Sequence, residues 1–189
     1  IRMEQYKVIL VDDEVEVIDI MKQKIRWNDL GFDVVGSATN GVKALELVEK
    51  LQPDVVLTDI KMPYMDGLEL ARKLNQDYPN IYIMLCTGFD EFEYAKEAVH
   101  LEIKEYMLKP ISATELSDSL VKLKNTLDKE REEKLKEIYE GLEEIKDQLT
   151  ALIDEYEEEE THTGKADELI EALDALEDAS ETIEDVLEN

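Results

Sequence analysis

The stretch Val55-Val56-Leu57-Thr58-Asp59-Ile60-Lys61-Met62-Pro63-Tyr64-Met65-Asp66-Gly67 holds the most information in the chain. It opens on an apolar, β-branched run that reads as a short strand after Pro53 and Asp54. The strand ends in an acid, Asp59, and Asp66-Gly67 forms a turn that starts a helix over Leu68–Leu74. The same strand-then-helix unit repeats on either side. Lys7–Val11 and Phe32–Ala38 read as strands. Amphipathic stretches follow them, the first with Val15, Ile18, Met21 and Ile25 on one face, the second over Val42–Leu51. Downstream, the turn Tyr78-Pro79-Asn80 precedes a strand over Ile81–Cys86, and Phe92–Leu101 reads as a helix. Tyr106–Leu108 reads as a fifth strand before Pro110, and Ser112 or Thr114 caps a helix carrying Leu116, Leu120, Leu123 and Leu127. Five such units in a row predict an α/β fold, a parallel sheet with helices on both faces. The continuous apolar strands fit burial on both sides.

In open parallel sheets, ligands bind beyond the carboxyl ends of the strands. Here the first strand ends in Asp12-Asp13-Glu14, the third in Thr58-Asp59, the fourth in Thr87-Gly88 and the fifth in Lys109-Pro110. Three carboxylates, a hydroxyl and an ammonium thus gather at one edge. Clustered carboxylates are hard oxygen ligands for an octahedral cation. A carboxylate also serves as a nucleophile toward phosphorus, giving an aspartyl phosphate. A metal ion and a lysine offset charge on the transferring phosphoryl oxygens. A single Asp at a strand end is usually a turn residue or a helix cap. The specific signal is the set, each member at the same end of its own strand.

Val11-Asp12-Asp13-Glu14, Leu57 to Gly67 and Tyr106-Met107-Leu108-Lys109-Pro110 resemble the signature segments of bacterial two-component response-regulator receivers. The resemblance runs from about Tyr6 to Leu127. Trp27-Asn28-Asp29-Leu30-Gly31-Phe32 and Gly88 to Lys96 are similar to receivers of regulators with an AraC-type DNA-binding output. The resemblance implies a flavodoxin-like sheet of order 2-1-3-4-5, an order already known for receivers. It implies that Asp59 is the phosphoacceptor. Asp13 would hold Mg2+ (or Mn2+) directly and Asp12 through water, with Asp59 and the backbone carbonyl of Lys61 as further ligands. Lys109 would pair with the phosphoryl group, and Pro110 would follow a cis peptide bond. Thr87 would swing toward the phosphoryl oxygens and Tyr106 would turn inward behind it as the aromatic switch. The side chains of Lys61 and Phe89 would tune hydrolysis. The donor would be the phosphohistidine of a sensor histidine kinase, or a small phosphodonor. Such a protein is no turnover enzyme; it catalyses its own phosphorylation and dephosphorylation. One departure is Leu101-Glu102-Ile103, where many relatives have a glycine; a left-handed Glu102 would carry a modest steric cost.

Blander roles stand beside these. Tyr106 also suits a half-exposed strand aromatic. Asp66-Gly67 reads as a turn and not a metal ligand. His100 and His162 read as solvated, Trp27 as packing at the end of the first helix, and Cys86 as a small buried hydrophobe.

Net charge is -27, and it is unevenly spread. Residues 128–189 hold 25 acidic and 6 basic residues, a net -19, leaving -8 for residues 1–127. Such acidity excludes nucleic-acid binding by this chain and adhesion to an anionic membrane. One cysteine allows no internal disulfide, and no apolar run is long enough to span a bilayer; a cytoplasmic protein is expected. Met3 is a candidate natural start. The expected domains are a receiver over 1–127 and an acidic helical tail over 128–189. In the tail, Leu135, Ile138, Leu142, Ile145, Leu149, Leu152 and Tyr156 form a heptad seam. Glu157–Gly164 breaks it, and Leu169, Leu173, Leu176, Ser180, Ile183 and Leu187 form a second. An antiparallel, coiled-coil-like hairpin follows, out of phase with the preceding helix across the charged run from Asp128 to Lys134. The tail is either an unusual natural output or a foreign module. A homodimer through it, or through the face of Phe92–Leu101, Tyr106–Leu108 and the Leu116–Leu127 helix, is expected. The alternative makes the hairpin an assembly or decoy module for a basic partner, with the receiver as scaffold.

Overall fold

Five parallel strands lie side by side in the order β2-β1-β3-β4-β5, in a computed structural model that describes residues 5–88, 101, 103, 105–158 and 163–188. The strands are β1 (Tyr6–Val11), β2 (Phe32–Ala38), β3 (Val55–Asp59), β4 (Tyr82–Thr87) and β5 (Glu105–Leu108). The helices among the described residues are α1 (Val15–Lys24), α2 (Gly41–Leu51), α3 (Gly67–Asp77), α4 (Ala113–Glu158) and α5 (Thr163–Glu188), with a 3-10 turn at Trp27–Leu30. This is the flavodoxin-like receiver arrangement, followed by C-terminal helices. The expected helix over Phe92–Leu101 falls almost wholly outside the described residues, as do Phe89, His100, Glu102 and His162.

Contacts divide the described residues into two units, those up to residue 124 and those from residue 125 on. In the first, alternate strand residues face opposite ways. Ile9, Val11, Val56, Ile83 and Leu85 belong to one apolar cluster with Ala44 and Val48 of α2 and Leu70, Ala71 and Leu74 of α3. Their neighbours Val8, Leu10, Val55, Leu57 and Met84 are equally buried on the other side. Burial on both faces explains why these strands are continuous apolar runs. Trp27 is buried, and its indole N–H donates to the Met21 carbonyl at 3.1 Å.

Polar side chains start three helices. Asn40 accepts from the Lys43 N–H at 3.0 Å and Asp66 from the Glu69 N–H at 2.7 Å. Ser112, rather than Thr114, caps α4. Its hydroxyl accepts from the Glu115 N–H at 3.1 Å, and the Glu115 carboxylate takes the Ser112 N–H at 3.0 Å, a reciprocal box. The Ser112 backbone and hydroxyl bonds hold the Glu115 carboxyl below its ordinary value.

The second unit departs from one expectation. α4 runs unbroken through the charged run from Asp128 to Lys134, over 46 residues. Lys, Glu and Arg are good helix formers, and pairs such as Lys129–Glu133 at 3.7 Å and Glu132–Lys136 at 2.5 Å lie one turn apart. The departure lies in the seam of α4, which is rotated. Tyr139, Lys146 and Ile153 are covered, Ile153 fully, whereas Ile138, Ile145 and Leu152 stand 53%, 50% and 39% exposed. Leu135, Leu142, Leu149 and Tyr156 keep their expected half-buried places. On α5 all six expected seam residues are at least half-buried, with Ser180 fully so. Among the described residues, no helix is long and apolar enough to cross a membrane.

Candidate functional site

Strand register brings the site together. Val11 pairs with Thr58, so Asp12 and Asp59 each lie one step beyond that pair on adjacent strands. Asp59 in turn pairs with Cys86, which puts Thr87 one residue further on β4. Thr87 pairs with Leu108, which puts Lys109 one residue beyond β5. The Lys109 N–H also donates to the Thr87 carbonyl at 2.6 Å, tying the two strand ends. Four strands thus deliver four side chains to one edge without any long loop.

Lys109 lies at the centre. Its ammonium is 2.7 Å from Asp12 Oδ2 and 2.8 Å from Asp59 Oδ1. The Asp12 and Asp59 side chains are only 2% and 9% exposed, and that of Lys109 is 23% exposed. The other oxygen of Asp12 accepts from the Glu14 N–H at 3.0 Å. Burial alone would lower the Lys109 pKa, but the hydrogen bonds and charges of Asp12 and Asp59 outweigh it and hold the ammonium above its ordinary value. Lys109 therefore stays charged throughout the neutral range. The Lys109–Pro110 peptide is cis.

Asp13 is exposed beside this pair, and carboxylate oxygens of Asp12, Asp13 and Asp59 lie within 4.8 Å of one another. Three carboxylates lie together and the ammonium meets two of them, Asp12 and Asp59; that excess of negative charge suits a hard divalent cation. Receiver-type acidic clusters of this kind typically bind Mg2+. Cys86 lies directly beneath. Burial drives its thiol pKa up to about 12, with Lys109 opposing and Asp59 and Asp12 adding to the rise. It is a packed, protonated hydrophobe.

Thr87 is fully buried at the end of β4. Tyr106 is partly buried and packs against the apolar cluster. Its hydroxyl is buried without a hydrogen-bond partner among the described residues. Lys61 is exposed just past β3.

Asp66-Gly67 does more than turn the chain. The Gly67 N–H donates to the Ile60 carbonyl at 2.8 Å. A Cβ on Gly67 would collide with the Asp59 carbonyl oxygen and stand 3.0 Å from the Ile60 Cα. Gly67 therefore lets α3 close against the loop that carries Asp59. The signal was present as a glycine eight residues after the acid, but a turn alone explained it. The same loop holds Tyr64 at a φ of 70°, a left-handed conformation uncommon for an aromatic residue, with its ring 90% exposed.

The chain matches the family described as "Response regulator receiver domain" over residues 8–121. It belongs to that family. The receiver is 44% identical over 115 residues to "Uncharacterized transcriptional regulatory protein YesN" of Bacillus subtilis (strain 168), covering 61% of this chain and 31% of that protein. It is 35% identical over 122 residues to "Transcriptional regulatory protein HptR" of Staphylococcus aureus (strain NCTC 8325 / PS 47), covering 65% and 48%. The chain thus spans from under a third to about half the length of these two relatives. Among solved structures, the REC domain of AraT, a response regulator from Geobacillus stearothermophilus, superposes with a TM-score of 0.64 at 37% identity. A two-component transcriptional regulator AraC from Clostridium phytofermentans ISDg gives 0.63 at 32%. Each covers 67% of this chain and 98% of the other. Receivers of this family act in two-component systems, generally as phosphoacceptors opposite a sensor kinase.

Alongside the site, Lys109 and Pro110 border an apolar cleft of about 680 Å³ whose far wall is α1, through Val17, Ile20, Met21 and Ile25. Ile20 is 56% exposed there.

Proposed function

We propose that this receiver takes a phosphoryl group onto Asp59 from the phosphohistidine of a sensor histidine kinase. The observation that carries the reading is the Lys109 ammonium held between the buried carboxylates of Asp12 and Asp59. An Asp59 oxygen attacks phosphorus, the new O–P bond forms as the P–N bond of the donor imidazole breaks, and the imidazole nitrogen leaves with the electron pair. Lys109 offsets charge on the phosphoryl oxygens, and the Thr87 hydroxyl donates to one of them. Asp13, Asp59 and the Lys61 carbonyl would hold Mg2+ or Mn2+ directly, and Asp12 through water. When bound, the ion supplies positive charge to the same oxygens.

Lys109 then exchanges part of its pairing with Asp12 and Asp59 for the phosphoryl group, and Thr87 moves toward that group. Tyr106, whose hydroxyl has no partner among the described residues, follows into the space behind. The face bearing β5 responds, and the output is a change in oligomeric state through that face or through the tail of residues 128–189. The apolar cleft beside Lys109 is where a docking kinase would bury surface. Hydrolysis of the aspartyl phosphate by the same site resets the switch, so the protein modifies itself rather than turning over a substrate. The reading places it in the cytoplasm. The DNA binding of an AraC-type regulator is not assigned to this chain, whose tail is acidic.

The test is intact mass after incubation with Mg2+ and acetyl phosphate, for wild type and Asp59→Asn in parallel. Wild type gains the mass of one phosphoryl group and the variant gains nothing. Equal labelling of both would sink the reading.

A further inference from the structure

Two segments of the receiver carry the three carboxylates, and a third segment with no part in the chemistry touches both. In the sheet order β2-β1-β3, the end of β1 lies between the ends of β2 and β3. The turn after β2, from Ala38 to Gly41, nevertheless reaches the loop after β3. At its start the Ala38 carbonyl accepts from the Asp12 N–H at 3.1 Å, and at its end the Gly41 N–H donates to the Met65 carbonyl at 3.1 Å. Asp12 leads into Asp13, and Met65 closes the loop that runs from Asp59 through Lys61. The turn therefore ties one carboxylate segment to the other across the end of β1.

Both ends of this tie are held. Asn40 is buried; its side chain accepts from the Lys43 N–H at 3.0 Å and its carbonyl from the Ala44 N–H at 3.1 Å. Met65 is 9% exposed and belongs to the apolar cluster that also holds Ala38, Ala44 and Ile60. Three of the four residues between Ile60 and Met65 are exposed, so the path of that stretch depends on its two ends. Gly41 is the first residue of α2 and does not have a left-handed φ, so its backbone would accept an alanine. What calls for glycine is space. A Cβ at Gly41 would lie 2.6 Å from Met65 Cγ, 2.8 Å from Sδ and 3.0 Å from Cβ. Met65 Cβ is fixed to the backbone, so no change of rotamer clears all three contacts and the loop itself has to move.

We propose that Gly41 and Met65 are positioning residues for the divalent ion, their contact setting Asp59 and the Lys61 carbonyl at the right distance from Asp12 and Asp13. This rests on the reading of those four residues as the metal site. Mg2+ demands near-ideal octahedral placement of its ligands, so a small shift of one segment against the other is felt in affinity. Groups that orient metal ligands without touching the ion change affinity about ten- to a hundredfold.

The test is Mn2+ binding to the full, unphosphorylated chain, read from the free-ion electron paramagnetic resonance signal. Asp13→Asn measures what the acidic tail takes up, and wild type binds one ion above that baseline. Gly41→Ala weakens this ion about tenfold or more. Met65→Ala, which removes the contact without a clash, weakens it less, and adding Gly41→Ala to it costs little further, because the two nearest atoms are gone. Val8→Ala, on the opposite face of the sheet, destabilises the metal-free receiver in urea but binds Mn2+ as wild type does, which separates positioning from general loosening. Wild-type affinity in Gly41→Ala, an equal loss in Val8→Ala, or a Gly41→Ala loss that persists in full without the Met65 side chain would each overturn the proposal and leave the metal reading standing. If Gly41→Ala does not fold, Met65→Ala alone decides, and unchanged affinity there overturns the proposal. A wild type with no ion above the Asp13→Asn baseline overturns the proposal and the metal reading together.

Discussion

Two places in this chain surround buried polar atoms with charge, and they balance that charge differently. At the carboxyl edge of the sheet, the Lys109 ammonium pairs with two carboxylates nearly without solvent, and a third, Asp13, lies close to them. In the hairpin, the buried Ser180 hydroxyl donates to Glu143 at 2.5 Å, and Lys146 meets the same carboxylate at 2.9 Å. Those two bonds, Ser180 first, hold the Glu143 carboxyl below its ordinary value. The hairpin group is closed, since a carboxylate, a hydroxyl and an ammonium satisfy one another. The receiver group is open, since its carboxylates outnumber the ammonium that meets two of them, a surplus that suits a divalent cation. A closed polar group inside a helical seam fixes register and orientation; an open one is what the proposed phosphoryl transfer would use.

The largest test of that contrast is Lys109→Ala. It leaves two buried carboxylates facing each other, and the cost is about 3 kcal/mol, at the low end for a broken buried pair because the ammonium keeps some solvent. Denaturant unfolding of the receiver without metal ion reads it. Next is Mg2+ itself. At about a hundredfold over its dissociation constant it stabilises the wild-type receiver by about 2.7 kcal/mol, and Asp13→Asn removes most of that gain. An equal gain in the variant would break the contrast. Gly67→Ala follows, costing about 2 kcal/mol through a Cβ forced onto the Asp59 backbone, with phosphoryl acceptance falling further than stability. Ser180→Ala is smaller, about 1 kcal/mol, and is felt in the tail alone.

Alkaline pH gives an effect confined to high pH. The Cys86 thiol ionises near 9.0 when unfolded and near about 12 when folded. Unfolding therefore releases its proton in that window, and receiver stability falls as pH rises through it. The raised pKa of Lys109 acts in the same direction. Its pairing is fully present below the unfolded value of 10.5 and is lost as pH rises through the folded one. Neither group contributes a pH dependence near neutrality, and Cys86→Ala flattens the lower part of the alkaline fall.

The receiver was legible because its local signals agree. Apolar runs ending at Val11, Thr58, Cys86 and Leu108 set the strands in register, and the register alone sets Asp12, Asp59, Thr87 and Lys109 side by side. Gly67 was half legible. A turn accounts for it in sequence, and only the approach of α3 to the Asp59 backbone explains why no side chain fits. The tail was less legible for two reasons. A charged run without Gly or Pro carries no stop signal, so α4 continues through the shift in composition. Both i+3 and i+4 neighbours of Leu135, Leu142 and Leu149 lie on the same side of a helix. Sequence favoured the apolar Ile138, Ile145 and Leu152, whereas the fold turns in Tyr139, Ile153 and Lys146, the last drawn by Glu143 and Ser180.

The most direct test of the central claim is to locate the phosphoryl group. Brief phosphorylation with Mg2+ and acetyl phosphate, borohydride reduction and peptide mapping convert a phosphorylated aspartate to homoserine. The account predicts homoserine at position 59 only, dependent on Mg2+ and lost in Lys109→Ala. Homoserine at position 12 or 13 instead would contradict it.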